Sequence, residues 1–465
     1  MIFLLCNPFS LLPKVNQVLS VALLMICWWI SDAVPLAVVA LLPIILFPLF
    51  GINSIKDVTK SYADSMIFLF MGGFLIGIAI EKWNLHKRIA LSLIKFTGVD
   101  GNKIILGFII ATGFLSLWLS NSATTMMMFP IAMSVIHVIQ NNKCDERDKK
   151  NFSIALLLSI AYASNFALGT IIGTPPNIAY VNYISDKFNF TIGFMDWMIV
   201  FIPLTILLLL ILYLILVKWL YPNKIIHSED EEHFIKDELN KLGIVSKTEK
   251  RVLLVFVITI AGWVFKNLIN ESQHLFILDD TIIALIGAIS LFIIPTGLLI
   301  NNKKTFLLEW DDTKKMAWGI LILFGGGIAL AQALEEVKLT DQLGSFIAKY
   351  STSSTFMMIL MVTTLSVFLS ELISNVAQVI VMAPVISSVA ISLHMNPLLL
   401  GIPMTLGASC ASMLPMGTPP NAIVFASGHI KMKEMVKTGF VLNLICIVVI
   451  SIFCYFLQPL IIKPI

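Results

Sequence analysis

Two short polar phrases, each set in membrane-grade apolar sequence, occur twice in this chain at nearly constant spacing, and that duplication limits the fold more than any other feature. Ser120-Asn121 returns as Ser374-Asn375, and the proline that follows returns with it, Pro130 as Pro384, at an offset of 254. Phe70, Gly72, Gly73, Glu81 and Leu85 reappear as Phe324, Gly326, Gly327, Glu335 and Leu339 at the same offset. Gly173-Thr174-Pro175-Pro176-Asn177 then returns as Gly417-Thr418-Pro419-Pro420-Asn421 at an offset of 244, because the charged stretch from Asn141 to Lys150 has no later counterpart. Order and register are those of a duplicated transmembrane unit.

Of the 465 residues, 58% are hydrophobic and 13% charged, with a mean hydropathy of +0.92. Soluble domains carry about a quarter charged residues, so this composition is that of a polytopic membrane protein. A net charge of +3, with no single basic face, gives no footing for nucleic acid. The six cysteines include no C-x-x-C pair and read as small core residues, not as a disulfide framework or metal site. The apolar N-terminal run flows into a second span without a small-residue cleavage site, so it reads as retained.

Full-length apolar segments fall near 11–30, 33–50, 65–81, 197–217, 252–269, 281–300, 316–334 and 438–460, each close to the roughly 20 residues of a helical span. Four further segments are unusual. Those at 104–140 and 355–391 carry Ser-Asn near their middles, and those at 152–187 and 397–430 are interrupted by Pro-Pro, through which a helix cannot pass undisturbed. If the Ser-Asn segments turn back as re-entrant hairpins, the chain crosses ten times. With the N-terminus outside, only Lys14, Lys56, Lys60, Lys187, Lys266, Lys338, Lys349 and Lys463 of the 31 Lys and Arg then lie outside, in accord with the positive-inside rule.

On this topology, residues 1–222 and 251–465 are two repeats of opposite orientation, joined by a polar cytoplasmic linker at 223–250 that is expected to be partly helical. Amphipathic stretches from Leu85 to Phe96 and from Leu339 to Tyr350 are expected along the membrane surfaces. The expected fold class is an all-α polytopic membrane protein with an inverted-topology repeat, two re-entrant helical hairpins and two broken transmembrane helices.

An unpaired backbone amide or carbonyl in hydrocarbon costs several kcal/mol, so broken helices at membrane depth survive only inside protein or beside a water-filled cavity. Four such breaks call for a ligand. A half-helix that starts after Ser-Asn aims free N–H groups and a positive dipole at the break, which suits a carboxylate or other oxyanion. A half-helix that ends there offers carbonyls to a hard cation such as sodium, and the Ser and Asn side chains can serve either ion. Tight-turn capping alone explains one such phrase well, but not two copies of each in matching order.

The phrases F-L-S-L-W-L-S-N-S-A-T-T-M-M-M-F-P from Phe114, F-L-S-E-L-I-S-N-V-A-Q from Phe368, W-W-I-S-D-A-V-P-L from Trp28 and both G-T-P-P-N phrases resemble the divalent anion/sodium symporter family over nearly the whole chain. The resemblance implies a dimeric elevator transporter of C4 dicarboxylates, citrate or sulfate, coupled to sodium or, in one branch, working by exchange. It implies a substrate site built from Ser120, Asn121, Ser122, Thr174 and Pro175 with Ser374, Asn375, Val376, Thr418 and Pro419. One sodium is implied among Ser116, Ser120, Asn121 and Gly173, and a second among Ser370, Asn375, Gly417 and Thr418. The family motif is S-N-T, and both third positions depart from it: Ser122 keeps a hydroxyl, whereas Val376 leaves its side to Ser374, Asn375 and backbone N–H groups. The family usually has a further crossing before the Trp28 segment, which Met1 to Pro13 is too short to supply.

Smaller features carry blander readings. Glu371, three residues before Ser374, could carry a coupling proton but reads first as a solvated or paired carboxylate. Gly325, Gly326 and Gly327 follow no strand and precede no Lys-Ser, so they indicate close helix packing, not a phosphate loop. Met126, Met127 and Met128 read as apolar filling of the hairpin. The function expected is sodium-coupled symport of a small dianion, a C4 dicarboxylate such as succinate, malate or fumarate, in a bacterial inner membrane. The partners are two or more sodium ions, the lipid bilayer and a second copy of the chain. The alternatives are sodium-independent exchange, tricarboxylate or sulfate transport and, from another class, an ion channel. A membrane-embedded enzyme lacks any nucleophile, base or metal constellation.

Overall fold

A computed structural model describes residues 12–31, 33–98, 100–141, 145–225, 237–273, 275–300, 303–339 and 354–458. The N-terminal part comprises α1 (Pro13–Ser31), α2 (Leu36–Val39), α3 (Leu42–Leu49), α4 (Ile55–Lys60), α5 (Ser65–Lys82), α6 (Leu85–Thr97), α7 (Gly101–Ser116), α8 (Asn121–Asn141), α9 (Glu146–Asn165), α10 (Pro175–Phe188) and α11 (Phe194–Leu214). After the linker come α12 (Lys247–Ser272), α13 (Asp280–Ile293), the antiparallel strands β1 (Pro295–Ile300) and β2 (Lys303–Phe306), α14 (Trp318–Glu336), α15 (Thr355–Leu369), α16 (Asn375–Ser392), α17 (Pro397–Ala408), α18 (Pro419–Phe425) and α19 (Met432–Phe456). Seven of the described helical segments are long and apolar enough to cross a membrane, and five shorter apolar helices accompany them.

Helix ends fall where local chemistry puts them. Asp64 caps α5 by accepting the Met66 N–H, Asp145 caps α9 by accepting the Arg147 N–H, and α10 and α18 begin at prolines, which have no N–H to satisfy. Two expected spans are corrected. The 33–50 segment is two short helices, because Pro35, Pro43 and Pro48 punctuate it. The 281–300 segment is helical only to Ile293, and Pro295 then opens a β-hairpin with Gly297 at φ +80°; an apolar run alone does not separate helix from strand.

The repeat offset pairs α5 with α14, α7 with α15, α8 with α16, α9 with α17, α10 with α18 and α11 with α19. Packing among most of these is reciprocal: α8 lies on α18 as α16 lies on α10, and α9 meets α18 as α17 meets α10. Around this body, α1 to α5 and α12 to α14 form a frame, in which α5 packs on α13 and α14 on α2 and α3. The frame contacts are not reciprocal. Helix α14 packs against both α10 and α16, whereas α5 has no comparable packing on α18 or α8 among the described residues.

The glycine pairs serve close packing as expected, but unequally. A Cβ on Gly72 would meet the Ala284 backbone at 2.8 Å, and one on Gly326 would meet Ala40 Cα at 2.8 Å. One on Gly73 would only touch Ile172 Cδ1 at 3.6 Å. Gly326→Ala is therefore expected to cost roughly 1–3 kcal/mol and lower the thermal midpoint of the detergent-solubilised protein, with Gly73→Ala close to wild type. Equal midpoints for the two would contradict this packing.

Helix α6 carries the amphipathic stretch, with Leu85, Ala90, Leu91 and Ile94 buried. Its counterpart beyond Leu339 lies outside the described residues. The linker is helical at 237–241 and docks on α6: Lys87 pairs with Glu238 at 3.1 Å and Arg88 with Glu249 at 3.2 Å.

Candidate functional site

The two Ser-Asn phrases are hairpin tips. Helix α7 stops at Ser116 and α8 starts at Asn121; α15 stops at Leu369 and α16 starts at Asn375. Ser120 acts as a cap, its Oγ accepting the Ala123 N–H at 3.2 Å. The carbonyls of Ser120 and Ser374 accept the N–H of Thr124 and Gln378, at 3.0 and 2.9 Å. Each asparagine thus sits at the first position of a half-helix, beside N–H groups that no preceding turn can satisfy. The Oδ1 atoms of Asn121 and Asn375 are both buried without a hydrogen-bond partner, as is the Ser116 hydroxyl.

The Pro-Pro phrases restart broken helices. The chain leaves α9 at Asn165 and resumes helix at Pro175, and leaves α17 at Ala408 and resumes at Pro419. The asparagine of each phrase folds back over its own loop. Asn177 donates to the carbonyls of Leu168 and Thr170 at 3.3 and 3.0 Å, and Asn421 to those of Ala411 and Leu414 at 3.2 and 3.1 Å. Gly173 sits so close to the Ala167 carbonyl and Thr170 Oγ1 that no side chain fits there.

The two breaks meet. Asn165 donates to Thr418 Oγ1 at 3.0 Å, while Ser409 donates to Thr174 Oγ1 at 3.2 Å. By the 244 offset Ser409 is the equivalent of Asn165, and Thr418 of Thr174, so the crossing is held by a reciprocal pair of bonds between equivalent residues. Asn165 also reaches Asn421 Oδ1 at 3.3 Å, and Tyr162 donates to the Ser412 carbonyl at 2.9 Å. Both threonines expected to face substrate are buried, with their hydroxyls accepting these cross-half bonds.

Each tip is also tied to its own loop, by different chemistry at equivalent positions. Thr170 donates to the Leu117 carbonyl at 2.6 Å. At the equivalent place, the Glu371 carboxylate accepts the N–H groups of Ser412, Met413 and Leu414 at 2.7, 2.8 and 3.0 Å and the Asn443 amide at 2.7 Å. Of the two bland readings of Glu371, paired is the one that holds: it is 4% exposed, inside a cage of donors. A Cβ on Gly417 would come 3.0 Å from its Oε2, and Gly439 on α19 leaves room for the Ser412 backbone.

Ser120 and Pro419 are exposed, while Asn121, Ser122, Pro175, Ser374, Asn375, Val376 and Gly417 are half-buried. Ser116, Ser370 and Gly173 are buried, and the Ser370 hydroxyl is turned to the Val367 carbonyl at 2.8 Å. Asn165, Thr170, Ser409 and Asn443, which help hold the site together, were not singled out from sequence, and Asn177 and Asn421 were named only as the ends of the repeated phrases. For Asn165 and Ser409 a signal existed, since both are polar, lie in apolar runs and share the 244 offset.

Exposure breaks the symmetry. Met126 is 61% exposed, whereas its equivalent Ile380 is partly buried and touches Gly327. Met126 is thus a correction to its reading as hairpin filling, while Met128 is fully buried. Ala422 and Ala426 of the second half are exposed where Ile178 and Asn182 of the first are buried. No other part of the described chain covers the site along α8 and α18, whereas α14 covers it along α16 and α10.

These features define a polytopic helical transporter fold. It is similar to the YdaH transporter of Alcanivorax borkumensis (TM-score 0.57, 13% identity, 86% of this chain and 87% of that one covered). It is likewise similar to MtrF of Neisseria gonorrhoeae, described within a class of antimetabolite efflux pumps (TM-score 0.57, 12% identity, 86% and 83%). The chain belongs to the family described as the sodium:sulfate symporter transmembrane region, whose model matches residues 1–462. It is 38% identical over 469 residues to the sodium-dependent dicarboxylate transporter SdcS of Staphylococcus saprophyticus, with 98% of this chain and 88% of the relative covered. SdcS of Staphylococcus aureus strain USA300 is 37% identical over 460 residues, with the same coverage. The protein is an integral membrane protein.

Proposed function

We propose that this protein carries small dicarboxylates across a bacterial inner membrane by sodium-coupled symport, with C4 dianions such as succinate as substrate. The observation that carries the reading is the matched pair of unpartnered carboxamide oxygens, Asn121 Oδ1 and Asn375 Oδ1, each at the start of a half-helix. N–H groups beside them suit the carboxylates, and the oxygens suit the cations. Ser116 Oγ, also without a partner, fits a first sodium with Ser120, Asn121 and Gly173. Ser370, Asn375, Gly417 and Thr418 would hold a second, with the Thr418 hydroxyl already bonded to Asn165.

Neither tip holds Lys or Arg, so nothing of full positive charge waits for the dianion. Sodium supplies that charge, and the order of events follows: cations first, then a substrate whose desolvation they offset. Names of relatives support the coupling and the substrate class. The inverted arrangement of 1–222 and 251–465 about the 223–250 linker, with ten crossings, belongs to the same reading. So does a homodimer in which the body of α7–α11 and α15–α19 slides against the frame. Reciprocal packing inside the body and one-sided packing on α14 support the sliding step. It would break the Lys187–Glu335 ion pair and the 3.0 Å bond from Gln332 to Asp186 that now join α10 to α14.

Uptake of labelled succinate into proteoliposomes should require an inward sodium gradient, and Asn121→Ala or Asn375→Ala should each cut it by roughly tenfold or more. Uptake indifferent to sodium, or needing internal dicarboxylate, would replace symport with exchange. Non-saturating flux would replace it with a channel.

A further inference from the structure

The open side of the site leads somewhere. On α8 the exposed positions Met126, Pro130, His137 and Gln140 recur at helical spacing, forming one stripe that runs from the tip to the foot of the hairpin. On α18 and the turn after it, the exposed residues Pro419, Ala422 and Ala426 lead in the same way to half-buried His429. Helices α8 and α18 pack together, so the two stripes flank one track. Both end in the same cavity, of about 310 Å³, lined by Gln140, Glu146, Lys149, Lys150, Ser153 and His429.

Its charge is arranged unlike that of the tips. Lys149 is 13% exposed and fixed by the Gln140 carbonyl at 3.0 Å, while its ionic partner Glu146, at 2.9 Å, is 87% exposed. Lys150 pairs with Glu434 at 2.7 Å, and His429 comes from the other half of the chain. An exposed carboxylate such as Glu146 holds its partner weakly, so a dianion can displace it and reach Lys149 and the His429 imidazole on the cavity wall, while Lys150 stays with Glu434, whose side chain is 19% exposed. The volume exceeds that of a four-carbon diacid.

We propose that this cavity is a staging site for the dianion, at the foot of the first hairpin, which substrate visits on its way along the α8–α18 track. The proposal rests on the dicarboxylate reading of the tips. It assigns a task to Lys149 and His429 that lies outside the tip site.

The test is sided transport kinetics in proteoliposomes of known orientation, using succinate. For Lys149→Gln with His429→Gln, KM measured from the hairpin-1 foot should rise about fivefold, the loss of one hydrogen bond to the dianion, with kcat and the opposite-side KM within twofold of wild type. Lys149→Arg, which keeps the charge and the fold, should restore KM. Unchanged KM on both sides overturns the proposal. So does a KM defect seen only in vesicles that contain anionic lipid, which would mean that a headgroup fills the cavity. Asn121→Ala and Asn375→Ala distinguish the underlying reading: if they transport normally, the tip site is wrong, whatever the cavity does.

Discussion

Glu371→Ala should reduce transport by about two orders of magnitude while leaving the protein inserted and folded elsewhere. The variant strips one acceptor from four donors at once: the N–H groups of Ser412, Met413 and Leu414 and the Asn443 amide. Each buried donor left unpaired costs about 1–3 kcal/mol, and removing one side of a buried charged network costs about 3–5 kcal/mol. Even about 3 kcal/mol lowers the assembled population of the second tip and its loop more than a hundredfold. Glu371→Gln should not rescue, because its NH₂ would face donors in place of acceptors. A coupling-proton role would make the opposite forecast, with the neutral isostere transporting but losing its pH dependence. The measurement is sodium-driven uptake, together with hydrogen exchange at 412–414, which should rise in Glu371→Ala. Uptake within threefold of wild type in that variant would show that the cage is dispensable.

Local chemistry was legible from sequence, and long-range chemistry was not. Ser-Asn turns and Pro-Pro starts act within four residues, so the breaks lie where the phrases stand, at Asn121, Pro175, Asn375 and Pro419. The offsets of 254 and 244 also paired the helices of the two halves, because equivalent residues recur in equivalent elements. Glu371 was ambiguous because its partners are backbone N–H groups some forty residues away, and main chain leaves no mark in composition. The 281–300 run read as one span because apolarity lacks a period there, and Pro295 alone announced the β-hairpin. The one-sided exposure of Met126 was illegible for a deeper reason. Two similar half-sequences look alike, and only the packing of α14 against α10 and α16 sets one side of the site apart from the other.

Asn165→Ala should shift the sodium activation curve to about tenfold higher concentration, and Ser409→Ala, its repeat equivalent, should shift it much less. Asn165 donates to Thr418 Oγ1, Asn421 Oδ1 and the Ala411 carbonyl, at 3.0, 3.3 and 3.4 Å, so one amide of the first half holds three points of the second. Ser409 gives one bond back, to Thr174. Loss of the amide takes one partner each from Asn421 and from Thr418, which is among the residues proposed to bind the second cation, although Asn165 itself belongs to the first half. If both proposed cation sites are real, the crossing couples them, and the variant should lower the Hill coefficient for sodium as well as the affinity. The check is equilibrium sodium titration of the purified protein, followed by thermal shift with and without succinate. A curve shifted in parallel by both variants would mean that the crossing is merely a packing contact. A change confined to Asn165→Ala would show that the reciprocal bonds, though alike in geometry, carry unequal shares of the coupling.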